Sequence, residues 1–233
     1  MFRRDRNVSP LVTGGLDTVG IRVPAHPIAH SLLREFGGAI VAPSANRFGR
    51  VSCTSALHVA DELGDRADLI LDGGDCPIGL ESTIVDVSSG QPSILRPGAV
   101  TAEDVARVIG TALTGHRSSA PRVSGSLPSH YAPRARLEIV TSEQLEGRAR
   151  ELVAQGCSVG VLTDVPIDLG PRIHNLHVSR NLAELAHDLY ETLRRIDRLG
   201  CDVALVTLPP EAGLGAALID RLRRAAGPRD EPA

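Results

Sequence analysis

Residues 136–163, RLEIVTSEQLEGRARELVAQGCSVGVLT, decide the fold class of this chain. Leu137–Val140 is an apolar run of strand length, and Ser158–Thr163 is a second one. Ser142–Ala154, between them, is predicted as a helix. A strand, a helix and a strand in this order are typical of a parallel sheet that is covered by helices.

The same alternation continues towards the C-terminus. Further strands are predicted at His174–Val178 and Asp202–Thr207, with helices at Ala183–Leu199 and Leu214–Ala225. The pattern predicts an α/β fold, with a small Rossmann-like domain over residues 136–228 and a tail at 229–233. We found no internal repeat.

Residues 1–112 predict a second α/β unit built from shorter elements, and residues 113–135 predict a linker. The linker is rich in Ser, Pro, Gly and Arg and has little periodicity. In the first unit, Thr101 opens a helix, and Thr54 is the predicted N-cap of a helix that reaches Leu63. The remaining predictions are a helix at His26–Phe36 and strands or apolar runs at Ile21–Pro24, Ala39–Ala42, Asp68–Asp72, Ser82–Val87 and Ser93–Arg96.

Composition limits the class of protein. A hydrophobic fraction of 42% supports a packed core, and the net charge of −3 provides no overall basic field for nucleic acid. All 25 positive side chains are Arg, and the four Cys form no CxxC pair that would indicate zinc. No apolar run is long enough to span a membrane and none resembles a signal peptide, so we expect a cytoplasmic protein without membrane contact.

Two short segments carry polar groups suited to an anionic ligand. Pro43-Ser44-Ala45-Asn46 follows an apolar run and can present a hydroxyl, an amide and backbone N–H groups, although an ordinary polar turn has the same composition. Arg96 precedes a Pro-Gly turn and could hold a phosphate or carboxylate through two N–H groups, although the segment taken alone favours an ordinary surface Arg.

Two further segments place polar residues in restricted backbones. Thr18 and Arg22 are four residues apart, which puts them on one face of an extended chain. His130 and Tyr131 stand side by side in a loop that ends at Pro133, where they could cover a ligand.

Taken together and in order, the motifs resemble those of the L-threonylcarbamoyladenylate synthase family in its long form. The stretches that carry the resemblance are GLDTVGIRVP (15–24), APSAN (42–46), ESTIVD (81–86), LRPG (95–98) and SHYAPRA (129–135). Pro209–Gly215 is similar to the end of that family's C-terminal domain. The resemblance implies a YrdC-type catalytic domain in residues 1–112, then a linker and a Rossmann-like domain.

The resemblance also implies a reaction. L-threonine, bicarbonate and ATP, with Mg²⁺, would give threonylcarbamoyl-AMP and pyrophosphate, and a tRNA threonylcarbamoyl transferase would use the product. The family needs no covalent nucleophile, so catalysis would rest on positioning and electrostatic stabilisation, and no catalytic or metal-binding side chain is assigned.

The family's ligand contacts map onto matching positions of this sequence. By resemblance, L-threonine would contact Arg22, Ser82 and the backbone of Ala42, and His130 with Tyr131 would lie over the nucleotide as a lid. The implied nucleotide contacts are Thr18, Ser44, Asn46, Ser52 and Arg96.

Two departures separate this chain from the family pattern. The family's Thr-rich and Lys-x-Arg motifs, which bind the triphosphate, have no match, so we interpret the catalytic domain as N-terminally truncated with open sheet edges. Cys53 also stands where the family usually has Pro, and Phe48 where it has a small or polar residue.

Three functions therefore stay open. The chain could be a synthase that needs its missing half, an inactive fragment, or a module that binds double-stranded RNA or tRNA. We expect no activity from the chain in isolation, and the net charge of −3 argues against tight RNA binding.

Overall fold

The structure, a computed structural model, describes residues 1–111, 113 and 121–228. Residues 112 and 114–120 and the predicted tail at 229–233 lie outside the described residues. The strands are β1 Phe2–Arg3, β2 Thr18–Val19, β3 Ile84–Asp86, β4 Ser93–Arg96, β5 Arg136–Ile139, β6 Val159–Thr163, β7 Ile173–His177 and β8 Val203–Val206. The α-helices are α1 Pro27–Phe36, α2 Ala56–Leu63, α3 Ala102–Ile109, α4 Ser142–Ala154, α5 Leu182–Arg198 and α6 Gly215–Ala225.

A four-stranded parallel sheet organises the C-terminal part of the chain. Its strand order is β5-β8-β6-β7, with β8 and β6 in the middle. Every residue of β6 and β8 is buried, which explains why both read as continuous apolar runs. A parallel strand covered on both faces has no solvent side and therefore needs no alternation of polar and apolar residues.

Helices cover both faces of this sheet. Helix α4 packs Leu145, Ala149 and Leu152 onto one face, and these residues recur at the spacing that puts them on one side of a helix. Helices α5 and α6 cover the other face. Asn181 caps α5, because its side-chain oxygen accepts from the backbone N–H groups of Ala183 and Glu184.

The N-terminal part has less regular structure. Two antiparallel ladders of two strands each, β1–β2 and β3–β4, lie among loops and three α-helices. Helices α1 and α3 bury none of their residues. Helix α3 begins with a capping box, in which the Thr101 hydroxyl accepts from the Asp104 N–H and the Asp104 carboxylate accepts from the Thr101 N–H.

Large apolar side chains are exposed mainly in this N-terminal part. Within the described part of the C-terminal domain only two large apolar side chains are exposed, Val165 at 58% and Leu199 at 41%. In residues 1–109, by contrast, exposed large apolar side chains occur along the whole length. Leu11, Val23 and Phe48 are each at least 84% exposed. The packed core of the molecule thus lies with the parallel sheet.

The mixed α/β fold with a parallel sheet is confirmed, and most individual elements agree with the sequence analysis. All seven predicted elements of the C-terminal domain are present within one or two residues of their predicted ends. Ile21–Pro24, Ala39–Ala42 and Asp68–Asp72 were wrongly predicted, because they form no strand. A strand needs a hydrogen-bonded neighbour, and no described strand runs beside these segments.

Two smaller points also differ. Ser55, and not Thr54, caps α2, since its hydroxyl accepts from the His58 N–H. None of the helices in the described part of the chain is long and apolar enough to cross a bilayer.

Candidate functional site

The N-terminal part meets the C-terminal domain at a carboxylate, Glu81, which comes just before Ser82 in the ESTIVD motif. Three side chains donate to it: the Ser52 hydroxyl at 2.5 Å, the Tyr190 hydroxyl at 2.7 and 2.8 Å, and the Arg221 Nε at 2.7 Å. Tyr190 lies on α5 and Arg221 on α6. One carboxylate thus connects a loop of the N-terminal part with two helices of the C-terminal domain.

Arg221 is completely buried, and its guanidinium is satisfied on every side. Besides Glu81, it donates through Nη2 to the Pro97 carbonyl oxygen at 3.0 Å and through Nη1 to Asp220 at 2.6 Å. The guanidinium carbon lies 5.1 Å from the centre of the Tyr131 ring. A buried charge is tolerated only with such partners, so the position of Arg221 depends on both parts of the chain.

Both members of the Glu81–Arg221 pair stay ionised at neutral pH. Burial alone would raise the pKa of Glu81, but the Arg221 guanidinium and the hydrogen bonds from Ser52, Arg221 and Tyr190 hold it below its ordinary value. Burial would lower the pKa of Arg221, but the Glu81 carboxylate and its hydrogen bond hold it above its ordinary value. Burial and the neighbouring Glu81 charge raise the pKa of Tyr190 well above its ordinary value, so its hydroxyl keeps its proton.

This arrangement predicts a specific sensitivity to acid. The folded protein holds the pKa of Glu81 below the ordinary value of 4.5, so its stabilisation is complete above that pH and is lost as the pH falls through the folded pKa. Glu81→Gln should remove the contribution of Glu81 to the pH dependence of the free energy of unfolding, which is at most about 1.4 kcal/mol per pH unit. Urea denaturation at a series of acidic pH values measures it. Glu146→Gln, exposed on α4, is the matched control, and equal pH slopes for both variants would contradict the prediction.

Other contacts between the two parts surround this pair. Arg194 of α5 donates to the Val51 carbonyl oxygen at 2.7 Å and to Glu62 at 3.1 Å. His58 Nε2 lies 3.0 Å from a carboxylate oxygen of Glu191. These contacts fix α2 and the loop before it against α5.

Arg96 ties the ESTIVD motif to the linker. Its Nε and Nη2 donate to the Ser82 carbonyl oxygen at 3.2 and 2.8 Å, and its Nη1 donates to the Ser124 carbonyl oxygen at 3.1 Å. The guanidinium of Arg96 therefore uses its fork geometry on the backbone, as expected for a planar group with five N–H donors.

The linker residues His130 and Tyr131 pack into the same region. Tyr131 is buried with a φ of 62°, and its ring stacks on Tyr190 with centroids 5.7 Å apart. The His130 and Tyr131 rings meet edge-on at 4.1 Å, and Phe48 lies 6.4 Å from His130. Burial lowers the pKa of His130. Gly125 is required here, because a Cβ at this position would lie 2.0 Å from the Tyr131 hydroxyl oxygen.

The structure brings together five of the residues that the sequence analysis selected. Glu81, Tyr190 and Arg221 connect them through direct contacts or through the neighbouring residue. Buried polar atoms without a hydrogen-bond partner among the described residues occur here as well, at Tyr131 and His130. The five residues are Ser52, Ser82, Arg96, His130 and Tyr131.

The other five selected residues form no hydrogen bond to Glu81, Tyr190 or Arg221 in the described part of the chain, although two of them flank Ala45, whose carbonyl oxygen accepts from the Cys53 Sγ next to Ser52 at 3.1 Å. Thr18 pairs with Arg3 between β2 and β1, and Asn46 donates to the carbonyl oxygens of Arg47 and Arg50 at 2.9 and 3.1 Å, which holds its turn. The remaining three, Arg22, Ala42 and Ser44, are exposed, and the described part of the chain shows no hydrogen bond from them to the cluster.

Sequence reasoning missed Glu81, Tyr190 and Arg221 as members of the site. Glu81 and Arg221 are 140 positions apart, so no motif spacing links them. The available signal was Arg221 itself, a charged residue beside Leu222 in a helix that otherwise turns apolar residues to the core. A charge at such a position indicates a buried partner.

The fold and the site define a class of protein: a two-part α/β protein whose C-terminal domain is fastened to a motif-bearing N-terminal part by buried polar contacts. Residues 1–98 match the family described as "Telomere recombination", and residues 100–227 match the "Threonylcarbamoyl-AMP synthase, C-terminal domain" family.

Curated relatives agree with these matches. The threonylcarbamoyl-AMP synthase of Pyrococcus abyssi is 37% identical over 95% of this chain and 68% of its own length. That of Bacillus subtilis is 38% identical over 95% of this chain and 67% of its own length. The chain belongs to the threonylcarbamoyl-AMP synthase family, whose members are nucleotidyltransferase-type enzymes, and it spans about two thirds of these relatives.

A solved structure supports the family at the level of the fold. The crystal structure of P. abyssi Sua5 complexed with L-threonine superimposes with a TM-score of 0.85 at 36% identity, over 95% of this chain and 68% of that one. A variant of the same protein gives a TM-score of 0.84 at 34% identity.

Proposed function

We propose that this chain serves L-threonylcarbamoyladenylate synthesis, in which L-threonine, bicarbonate and ATP give threonylcarbamoyl-AMP and pyrophosphate. One observation carries the proposal: the Ser52, Ser82, Arg96 and His130–Tyr131 motifs converge around Glu81. They do so in an architecture that superimposes on a threonine-bound relative.

The chemistry asks mainly for positioning. Bicarbonate loses water to give carbon dioxide, which the threonine amine takes up as a carbamate with release of a proton; a carbamate oxygen then attacks the α-phosphorus of ATP, and pyrophosphate leaves. In our proposal the exposed Arg22 guanidinium receives the threonine carboxylate, assisted by Ser82 and the backbone of Ala42. Holding the carbamate and the phosphate in line supplies most of the rate, since no covalent intermediate with the protein is involved.

The proposed nucleotide contacts come from several loops. Three nitrogen atoms of Arg96 each donate one hydrogen bond to a backbone carbonyl oxygen. Two further N–H groups of its guanidinium could donate to a phosphate. The hydroxyls of Ser52 and Thr18 lie in the N-terminal part, with His130 and Tyr131 on the linker side. The other proposed contacts are Ser44 and Asn46.

Mg²⁺ belongs to the proposed substrate, MgATP. No three His, Cys, Asp or Glu side chains in the described part of the chain are grouped so that they could hold a metal ion. In our proposal the phosphate oxygens of ATP hold the ion.

The proposed cellular setting follows from the reaction. The protein would work in the cytoplasm and pass its product to a tRNA threonylcarbamoyl transferase. Direct binding of tRNA or double-stranded RNA is the second candidate function, and the net charge of −3 disfavours it.

Calorimetric titration with L-threonine and with MgATP, in the presence of bicarbonate, tests the proposal together with a pyrophosphate-release assay. Release that depends on L-threonine would establish the full reaction. Binding without release would limit this chain to ligand recognition. If neither ligand binds, the proposal is wrong.

Arg22→Ala gives the sharpest prediction for the threonine contact. Loss of a charge-assisted pair should weaken L-threonine binding by about 10- to 100-fold and leave MgATP binding nearly unchanged. Arg34→Ala, an exposed Arg at the end of α1, is the control and should change neither affinity. Equal threonine affinity for Arg22→Ala and the unmodified chain would exclude Arg22 from the site.

A further inference from the structure

Arg221 contacts residues that stand next to the selected ligand-binding residues in the sequence. It touches Glu81, which precedes Ser82, and the carbonyl of Pro97, which follows Arg96. Glu81 in turn accepts from Ser52 at 2.5 Å. A single side chain of α6 therefore contacts, directly or through one further group, all three N-terminal segments that take part in the cluster.

Tyr190 acts on the same carboxylate from a second helix. Its hydroxyl reaches both oxygens of Glu81, at 2.8 and 2.7 Å, while Arg221 takes one of them. A carboxylate held by two groups on separate helices has one orientation, and the Ser52 hydroxyl that donates to it is oriented as well. Two helices of the C-terminal domain thus hold the Glu81 carboxylate.

We propose that Arg221 and Tyr190 are positioning residues for the ligand site, acting through Glu81 on Ser52 and on residues 81–83. The C-terminal domain would set the ligand affinity of the N-terminal part, even though neither residue needs to touch the ligand. The effect on affinity rests on the proposed function, whereas the effect on local order does not.

The affinity test uses Arg221→Lys, which keeps the charge but loses the planar fork, and Tyr190→Phe, which removes one hydroxyl and keeps the ring. Calorimetric titration with MgATP and with L-threonine should show about 10-fold weaker binding for each variant. Arg223→Lys, exposed on the same helix, should bind like the unmodified chain.

A double-mutant cycle separates positioning from stability. If Arg221 acts through Glu81 on Ser52, then Arg221→Lys should weaken binding much less in a Ser52→Ala background than in the unmodified one. The proposal is overturned if the fold-losses of affinity caused by Arg221→Lys and by Ser52→Ala simply multiply in the double variant. It is also overturned if Arg221→Lys lowers the melting temperature but leaves the affinities for MgATP and L-threonine unchanged.

Amide hydrogen exchange without any ligand tests local order independently. Arg221→Lys and Tyr190→Phe should speed exchange at residues 51–53 and 81–84, and leave β6 and β8 unchanged. If the unmodified chain binds neither ligand, the proposed function is wrong, but hydrogen exchange still tests whether Arg221 and Tyr190 order these two segments. Faster exchange in those two segments would uphold the positioning role, and unchanged exchange would reject it.

Discussion

Gly98→Ala should lower the free energy of unfolding by about 3 kcal/mol, because a methyl group has no room at this position. A Cβ on Gly98 would lie 2.4 Å from the Thr83 backbone nitrogen and 2.5 Å from the Glu81 carbonyl oxygen. Both are backbone atoms, which cannot turn aside as a flexible side chain would. The segments on either side must separate, and this would also loosen the contacts of Glu81. Urea denaturation followed by far-ultraviolet circular dichroism measures the change.

Gly147→Ala is the matched control for this prediction. Gly147 lies within α4, is exposed, and has no atom within 4 Å of an added Cβ. The same substitution should here raise the free energy of unfolding by about 0.5–1 kcal/mol, since Ala favours helix more than Gly does. A Gly98→Ala protein as stable as Gly147→Ala would show that the close approach of residues 81–83 to Gly98 is wrong.

The second large effect is expected at Leu205, in the interior of the parallel sheet. Leu205 of β8 is completely buried and packs with Leu152, Val161 and their neighbours. Leu205→Ala removes apolar contacts and leaves a cavity between the parallel sheet and α4, where the packed neighbours can collapse only in part. The free energy of unfolding should fall by about 2–5 kcal/mol, measured by urea denaturation.

An exposed leucine provides the contrast for this measurement. Leu69, in the N-terminal part, is 77% exposed, so Leu69→Ala should change the free energy of unfolding by less than about 0.5 kcal/mol. A large loss at Leu69 would mean that the N-terminal part is more closely packed in solution than the structure shows. A small loss at Leu205 would contradict its place in the core.

The C-terminal domain could be predicted from sequence because its signals are local. Strands such as β6 and β8 are continuous apolar runs, and a helix such as α5 is bounded by its cap at Asn181 and by Gly200. Each element therefore shows its type and limits within its own residues. The domain boundaries at 112/113 and 135/136 follow from composition and stay predictions.

The N-terminal strands could not be predicted in the same way. Ile21–Pro24 and Asp68–Asp72 have the composition of strands, but a strand depends on its neighbour across the sheet, and composition does not report the neighbour. Ser82–Val87 succeeded in part, as β3, because Ser93–Arg96 follows closely enough to pair with it as a hairpin.

The sequence predicted individual residues of the candidate site but not the contacts that join them. Ser52, Ser82 and Arg96 were chosen one by one from short segments, and the structure shows that Glu81 and Arg221 connect them. A contact between residues 140 positions apart is a property of the folded chain. A single sequence contains no pattern that would reveal it.

The two tyrosines of this chain both lie in the cluster around Glu81, and the chain contains no Trp. Its tyrosine fluorescence therefore comes from one place, the contact between the C-terminal domain and the N-terminal part. Emission from Tyr131 and Tyr190 reports the separation of these two parts, while backbone signals report mainly the helices and the parallel sheet. Unfolding followed by the two signals in one sample would reveal whether the parts come apart before either of them melts.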